Sequence, residues 1–344
     1  IILTRGKDVA VDGENVEVIP LESPLGQHRL MRSGTILIKQ NRDSSAVYPV
    51  SPALHNLIHL GLDLPVVRTG YTSTSDHQSL TRMARQQNDY RAVISSSKVD
   101  TLATTAAFYP LTFHQIWNTG LPRNDFILCP QEELPEDFAA ELARLRMRLG
   151  RMRLVLLMPA CHGSRESQPC CWSDSEVVRL AEWLQVNDCM LGIRHQPGQL
   201  HPSADRLGEL PVLDLSDSEF IHLEVLYREA AALITDHSSN AFVDFMLTGR
   251  PVISWSAAGP SHTRSEHNLY DLDLCFPGPV CIDFNSLRSA LEEHIDTSPD
   301  ELYEFRRRIF FDRADAGNSA RVVEKIRDLT AVHGIGKWSG EHVA

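Results

Sequence analysis

The stretch Ala232–Trp255 reads ALITDHSSNAFVDFMLTGRPVISW, and it decides the fold class. It opens with a short apolar strand, which the polar turn Asp236–Ser239 follows. From Asn240 to Leu247 the apolar residues recur at helical spacing, and a glycine and a proline then precede a second strand, Val252–Trp255. Strand, serine-rich turn, helix, glycine and strand in this order are typical of half of a nucleotide-binding α/β domain.

The same alternation of strands and helices extends upstream through the second half of the chain. Apolar runs predict strands and 3.6-residue spacing predicts helices, in the order strand Arg153–Pro159, helix Ser175–Val186, strand Met190–Arg194, strand Val212–Leu215 and helix Glu224–Ala232. Strands that alternate with helices predict a parallel sheet covered on both faces.

The first half of the chain shows weaker signals of the same kind. Strands are predicted at Thr35–Lys39, Ala92–Ser95, Gln115–Asn118 and Phe126–Leu128, with helices at Gln78–Gln87 and Val99–Phe108. The Glu/Arg-rich helix Glu132–Arg151 is our candidate connector between domains. We expect a first domain over residues 1–145, a second over 146–330 and a loose tail over 331–344. The chain opens at Ile1 rather than at Met, which we interpret as a trimmed or partial chain.

Composition narrows the classes of function. The chain has 344 residues, with 33 basic against 45 acidic residues for a net charge of −12. An acidic balance argues against broad nucleic-acid binding, and the apolar runs are too short to cross a bilayer. Seven cysteines without a paired motif argue against a disulfide framework, so we expect a reducing cytoplasm. Their spacing matches no zinc pattern, so we expect no metal site.

Three segments carry candidate binding residues at the predicted ends of strands. Thr235, Asp236, Ser238 and Ser239 could cradle a phosphate, or Asp236 or Ser238 could simply cap the following helix. Arg123, in Gly120–Asp125 (GLPRND), offers donors to an anion, or it pairs with a carboxylate within an interdomain turn. Arg194 and His195 place a cation and a titratable ring in a loop that faces the same crevice.

These segments, in this order, resemble the CDP-glycerol glycerophosphotransferases, the teichoic-acid and capsule polymerases. Ala232–Trp255 is similar to the family signature, and Gly120–Asp125 resembles its Gly-x-Pro-Arg-Asn-Asp element. Tyr270–Val280 and Phe310–Val322 resemble two later segments, so the likeness covers roughly residues 30–330. It implies an α/β fold of the GT-B type, in which two Rossmann-like domains with parallel sheets face a cleft.

The resemblance also implies an activity. In the family an acceptor hydroxyl attacks the β-phosphorus of CDP-glycerol, or of a related CDP-linked alditol, and CMP leaves. The donor is a co-substrate, no other cofactor is implied, and a divalent metal stays open. The acceptor is a polyol phosphate or glycan, lipid-linked in the family, so we expect a cytoplasmic protein that is peripheral on the inner face of the membrane. The three segments would then hold the donor through Arg123, Arg194, His195, Thr235, Asp236, Ser238 and Ser239.

One departure from the family concerns the catalytic base. The family carries a Trp-His-Gly motif, and alignment on Pro65 and Gly70 puts its histidine at Leu62, which cannot take a proton. Asp63 and His59 are the substitutes nearby, although Asp63 points to the opposite side of an extended segment. His59 has the alternative of being an ordinary core or surface histidine.

Three hypotheses follow from these residues. The first is glycerol phosphate transfer from CDP-glycerol to a hydroxyl of a cell-surface polymer. The second is a GT-B transferase that uses another nucleotide-linked donor. The third is a catalytically silent homologue that binds nucleotide, or a partner protein of polymer assembly, as a scaffold.

Overall fold

The computed structural model describes most of the chain and contains two large parallel β-sheets. The described residues are 1–4, 15–39, 51–61, 66–73, 77–158, 172–194, 212–236, 239–255 and 268–333, with side chains to residue 329. A short parallel pair, β1 (Ile2–Thr4) and β2 (Val18–Pro20), lies at the start.

The first sheet has four parallel strands in chain order. They are β3 (Thr35–Ile38), β4 (Asn56–His59), β5 (Ala92–Ser95) and β6 (Ile116–Asn118). The helices of this half are α1 (Pro24–Arg32), α2 (His77–Asn88), α3 (Lys98–Ala107) and α4 (Asp125–Leu128), and α5 (Glu136–Leu149) leads to the second sheet. Because all four strands run the same way, their carboxyl ends form one edge.

The second sheet has six parallel strands in the spatial order β12, β11, β10, β7, β8, β9. They are β7 (Arg153–Met158), β8 (Cys189–Ile193), β9 (Val212–Asp214), β10 (Ala230–Thr235), β11 (Val252–Trp255) and β12 (Val280–Cys281). Its helices are α6 (Asp174–Val186), α7 (Leu223–Glu229), α8 (Ala241–Phe245), α9 (Leu272–Cys275), α10 (Phe284–His294), α11 (Glu301–Phe310) and α12 (Asn318–His333). The alternation predicted from the sequence is confirmed.

The predicted strand at Phe126–Leu128 is wrong, because these residues belong to helix α4. Three apolar residues are too few to distinguish a strand from one helical turn by spacing. The preceding residues 122–124 already form a 3₁₀ turn, which α4 continues. The ring of Phe126 stacks on Phe138 of α5, with centroids 4.5 Å apart, so its packing partner is a helix.

The boundary between α7 and β10 also differs from the prediction. The helix was expected to reach Ala232, but it ends at Glu229 and the strand begins at Ala230. Alanine favours helices, yet Ala230 and Ala232 are fully buried beside Leu154 and Val155 of β7. Pairing with the neighbouring strand therefore overrides the local preference.

Both sheets contribute to one continuous apolar core. It includes Ile58 and Ile94 from the first sheet and Leu156 and Leu233 from the second, each no more than 2% exposed. A second cluster, around Leu184 and Ile253, covers the other face of the second sheet. The two halves are therefore joined by buried apolar contacts as well as by the chain.

The C-terminal segment returns to the first sheet. The hydroxyls of Ser96 and Ser97, just after β5, donate to the carbonyls of Phe310 and Ile309, each at 2.7 Å. Further along, Arg321 Nε donates to the carbonyl of Thr119 at 2.7 Å. The first residues of the expected tail, 331–333, still belong to α12, and residues 334–344 lie outside the described part. In the described helices, none combines the length and the apolarity that a membrane span requires.

Candidate functional site

The turn that follows β10 lies at the carboxyl edge of the second sheet. Thr235, the last residue of β10, is 1% exposed and donates its hydroxyl to the carbonyl of Met158 at the end of β7, at 2.8 Å. Asp236 and Ser239 are partly exposed. The carboxyl edge of a parallel sheet is where open α/β folds bind ligands, so Asp236 and Ser239 stand at the expected place.

Ser239 also makes two hydrogen bonds within the protein. Its Oγ accepts the N–H of Ala241 at 3.2 Å, and its own N–H donates to the carbonyl of Asp236 at 3.0 Å. The N-cap residue of α8 is Asn240, whose side chain makes no capping hydrogen bond, and a cap by Asp236 or Ser238 stays a prediction. Ser238 itself lies outside the described residues. A phosphate-binding role for this turn stays a prediction.

Arg123 stands just beyond the carboxyl end of β6. Gly120 makes the chain reversal possible, because its φ of +85° lies in the region that favours glycine. The Nε of Arg123 donates to Oδ2 of Asp244, on α8, at 2.9 Å. The side chains are 30% and 16% exposed, respectively. Arg123 therefore pairs with a carboxylate, as one of the two interpretations of its segment predicted, and binding to an anionic ligand stays a prediction.

The pKa of Tyr227, on α7, is affected by both charges of this ion pair. Burial raises its pKa well above the ordinary value, and the negative charge of Asp244 raises the pKa further. The positive charge of Arg123 lowers it. Both charges therefore reach a buried phenol in the second half of the molecule, although Arg123 belongs to the first.

The side chain of Arg194 binds groups within the second half of the molecule. Its Nη1 donates to the carbonyl of Leu215 at 2.9 Å and also to the carbonyl of Phe220. Its Nη2 forms an ion pair with Asp217, and the arginine side chain is only 10% exposed. These contacts fix the loop after β9, whereas the sequence predicted a ligand-facing cation. His195 lies outside the described residues.

Of the residues considered for the catalytic base, the structure describes His59 but not Leu62 or Asp63. His59, the last residue of β4, is 2% exposed, and its ring lies edge-on to Tyr90 with centroids 5.4 Å apart. This burial favours the core-histidine alternative over that of a base in contact with substrate. Leu62 and Asp63 lie outside the described residues.

Sequence reasoning missed Asp100, a buried carboxyl group at the start of α3. Burial raises its pKa from 3.8 to about 6, although the N–H of Ser96 and the hydroxyl of Thr104 both stabilise the charged form. The positive charge of Arg123 also lowers this pKa. The signal in the sequence was the pattern Ser-Ser-Ser-Lys-Val-Asp over residues 95–100, which is typical of a helix start.

Within the described stretches, no three His, Cys, Asp or Glu side chains lie close enough together to hold a metal ion. Four cysteines there carry free thiols and are buried, namely Cys129, Cys189, Cys275 and Cys281.

Comparison with known families decides the relationship of this chain. A family model described as CDP-Glycerol:Poly(glycerophosphate) glycerophosphotransferase matches residues 15–328. The chain belongs to this glycerophosphotransferase family. No curated protein matches it significantly.

Solved structures agree with the family. This chain is similar in structure to the wall teichoic acid polymerase TagF, in its His-to-Asn variant. The TM-score is 0.75 at 14% sequence identity, and the match covers 93% of this chain and 79% of that chain. The same variant soaked with CDPG for 30 minutes gives a TM-score of 0.71 and 15% identity, over 93% and 78%. The likeness establishes the fold, which is α/β of the GT-B type, as the family resemblance implied.

Proposed function

We propose that this protein transfers glycerol phosphate, or a related alditol phosphate, from a CDP-linked donor to a hydroxyl of a cell-surface polymer or lipid-linked acceptor, releasing CMP. Membership of the family over residues 15–328 carries the proposal. One structural observation supports it: Arg123 contacts Asp244 of α8, and Ser239 of the turn contacts Ala241 at the start of the same helix.

The proposed reaction needs little covalent chemistry from the protein. The acceptor oxygen forms a bond to the β-phosphorus, the bond from that phosphorus to the bridging oxygen breaks, and CMP leaves with the electron pair. Positioning and charge stabilisation dominate such phosphoryl transfers. Arg123 and the turn of Ser239 would bind the pyrophosphate, while the acceptor hydroxyl loses its proton to a base.

The base is the open part of the proposal. The family position is Leu62, and the burial of His59 argues against that residue. Asp63 is therefore the candidate that we assign for testing. Asp63→Asn should lower CMP release without changing the affinity for CDP, because a base acts on the acceptor hydroxyl and not on the nucleotide.

A second candidate function is nucleotide binding without transfer, as a scaffold for polymer-assembly proteins. Two observations favour it: His59 is buried, and Arg194 is bound to backbone carbonyls and Asp217.

A third candidate function is transfer from a different nucleotide-linked donor. It would be recognised by selective thermal stabilisation of the protein by UDP- or GDP-linked compounds. A ligand at 100 times its dissociation constant stabilises a protein by about 2.7 kcal/mol.

The test incubates the protein with CDP-glycerol and a glycerophosphate-primed acceptor and measures CMP. We expect release that depends on acceptor and falls at least about tenfold in Ser239→Ala, which removes one phosphate donor. Ser239 also accepts the N–H of Ala241, the first residue of α8, so the matched control is Ser23→Ala, which removes the cap of α1 on the N–H of Gly26 at 3.0 Å. The control should retain activity. CMP release by the wild type that is no higher than by Ser239→Ala would reject the proposed transfer.

A further inference from the structure

The last turn of α11 packs on the start of α3, where the carboxyl group of Asp100 is buried. The contact joins a helix of the second half to the first sheet. We propose that Asp100 and Ser96 form a pH-sensitive latch on residues 309–312, the returning segment. Ionisation of the Asp100 carboxyl group weakens the attachment of this segment to the first sheet, and protonation strengthens it. The latch goes beyond the proposed transfer and does not depend on it.

Hydrogen bonds attach the returning segment to the turn between β5 and α3. The hydroxyls of Ser96 and Ser97 donate to the carbonyls of Phe310 and Ile309, respectively, each at 2.7 Å. The N–H of Asp312 donates to the carbonyl of Ser96 at 3.1 Å. Ser96, Ser97 and Phe310 are each no more than 2% exposed, so water does not replace a hydroxyl that turns away. The strength of the attachment therefore depends on where these hydroxyl protons point.

One of the two hydroxyls is shared with Asp100. The Oγ of Ser96 lies 2.7 Å from the carbonyl oxygen of Phe310 and 3.3 Å from Oδ2 of Asp100. A hydroxyl has one proton to donate, and an ionised carboxylate only accepts, so Asp100 competes with Phe310 for that proton. A protonated carboxyl group donates to the Oγ of Ser96 instead, and the serine proton then stays on the carbonyl of Phe310.

Ionisation also places a full negative charge beside the carboxyl end of α11. The carbonyls there carry the partial negative charge of a helix C-terminus, which a nearby anion repels. Asp100 is 3% exposed, so solvent ions screen this repulsion only weakly. Competition for the hydroxyl and repulsion of the carbonyls therefore act in the same direction, and both weaken the hold on the returning segment.

The surroundings of Asp100 set the pH range of the latch. Burial raises the pKa of Asp100 from 3.8 to about 6. The N–H of Ser96, at 2.8 Å, and the hydroxyl of Thr104, at 3.2 Å, stabilise the charged form and limit this rise. The positive charge of Arg123, on the turn after β6, lowers the pKa as well. Asp100 is therefore protonated below about pH 6 and ionised above it.

Other ionisable groups adjoin this contact. The ring of Tyr270 lies edge-on to Phe310 with centroids 5.4 Å apart, and burial and the charge of Asp100 raise the pKa of Tyr270, so the phenol stays neutral. Lys98 and Arg308 are exposed to solvent. Two further charged side chains have partners of their own, namely Arg307 with Glu304 at 2.5 Å and Asp312 with Nδ2 of Asn118 at 2.6 Å.

The experiment measures native-state hydrogen exchange of peptides from residues 305–316 between pH 5 and pH 8, with each rate corrected for the intrinsic dependence of exchange on pH. In the wild type we expect the protection to fall at least about threefold over this range and to level off above pH 7, where Asp100 is ionised. The shift of the pKa from 3.8 to about 6 limits the fall to about tenfold.

Three variants separate the latch from a general loss of packing. Asp100→Asn has no titrating group, so its protection should change less than about twofold with pH. Ser96→Ala removes the shared hydroxyl and should reduce the fall to about twofold or less. The matched control is Ser97→Ala, which removes the hydroxyl bound to Ile309 at 2.7 Å. That hydroxyl accepts the backbone N–H of Asp100 and not its carboxyl group, so Ser97→Ala should lower the protection by the same factor at every pH.

Three outcomes would overturn the latch. One is protection in the wild type that is constant with pH. Another is the same fall in the wild type and in Asp100→Asn, which would assign the titration to another group. The third is a loss of the pH dependence in Ser97→Ala as large as in Ser96→Ala. If Asp100→Asn does not fold, the comparison of the two serine variants decides, because both keep the carboxyl group.

Discussion

Replacing Asp125 with alanine should loosen α12, the last helix in the described part of the chain, from the first half of the molecule. The carboxylate of Asp125, in α4, accepts the N–H of Asn318 at 2.9 Å and the N–H of Ser319 at 2.7 Å. These are the first two residues of α12, and Asp125 is 8% exposed. One side chain therefore caps a helix that begins 193 residues later.

The magnitude follows from the exposure of the two N–H groups. Asn318 is 3% exposed, so its N–H stays unsatisfied once the carboxylate is removed, at a cost of about 1–3 kcal/mol. Ser319 is exposed, and water can replace the carboxylate there, so only the cap contribution of about 1 kcal/mol is lost. The sum is about 3 kcal/mol, with roughly half of that for Asp125→Asn, which keeps one acceptor oxygen.

Native-state hydrogen exchange of peptides from residues 318–329 measures this opening directly. A loss of about 3 kcal/mol lowers the protection of α12 more than about 100-fold. The matched control is Asp300→Ala, in which an exposed aspartate loses its cap on the N–H of Tyr303, at 2.7 Å, at the start of α11. Protection of α12 that changes less than threefold in Asp125→Ala, or falls as far in the control, would refute the reasoning.

Three further predictions concern other positions. The pKa of Asp100, raised from 3.8 to about 6, gives a contribution to stability that is present below pH 3.8 and is lost as the pH rises through 6. Urea unfolding should therefore show the wild type losing about 1 kcal/mol more than Asp100→Asn between pH 5 and pH 8. Gly120→Ala should lower the free energy of unfolding by at least about 2 kcal/mol, since its Cβ would lie 1.8 Å from Oδ1 of Asn318 at a φ of +85°; an unchanged urea midpoint would contradict this. Leu62→His should raise CMP release at least about tenfold if the missing base limits turnover, and an unchanged rate would place the limit elsewhere.

The elements of the second sheet could be predicted because their signals are local. The strand at Val252–Trp255 and the left-handed Gly249, with a φ of +67°, each depend on a few adjacent residues. The strand predicted at Phe126–Leu128 failed because only three apolar residues carried it, and packing against Phe138 decided the outcome. Local patterns therefore predict an element well where it is long and bounded by glycine or proline.

The candidate site was less predictable, because its contacts join distant parts of the chain. The type of residue at Arg123 indicated a carboxylate partner, but nothing local identified Asp244. The position of Arg194 at the end of a strand predicted a cation that faces a ligand. In the structure its guanidinium donates instead to the carbonyls of Leu215 and Phe220. A guanidinium has five donors, and buried carbonyls of a neighbouring loop compete with any ligand for them.

Packing explains three of the six residues in the segment Gly120–Asp125, which resembles the family motif. Glycine provides the positive φ beside Asn318, arginine binds Asp244, and aspartate caps α12. A homologue that had lost its chemistry would keep all three, because each holds the two halves together. The motif therefore supports the fold more strongly than the activity.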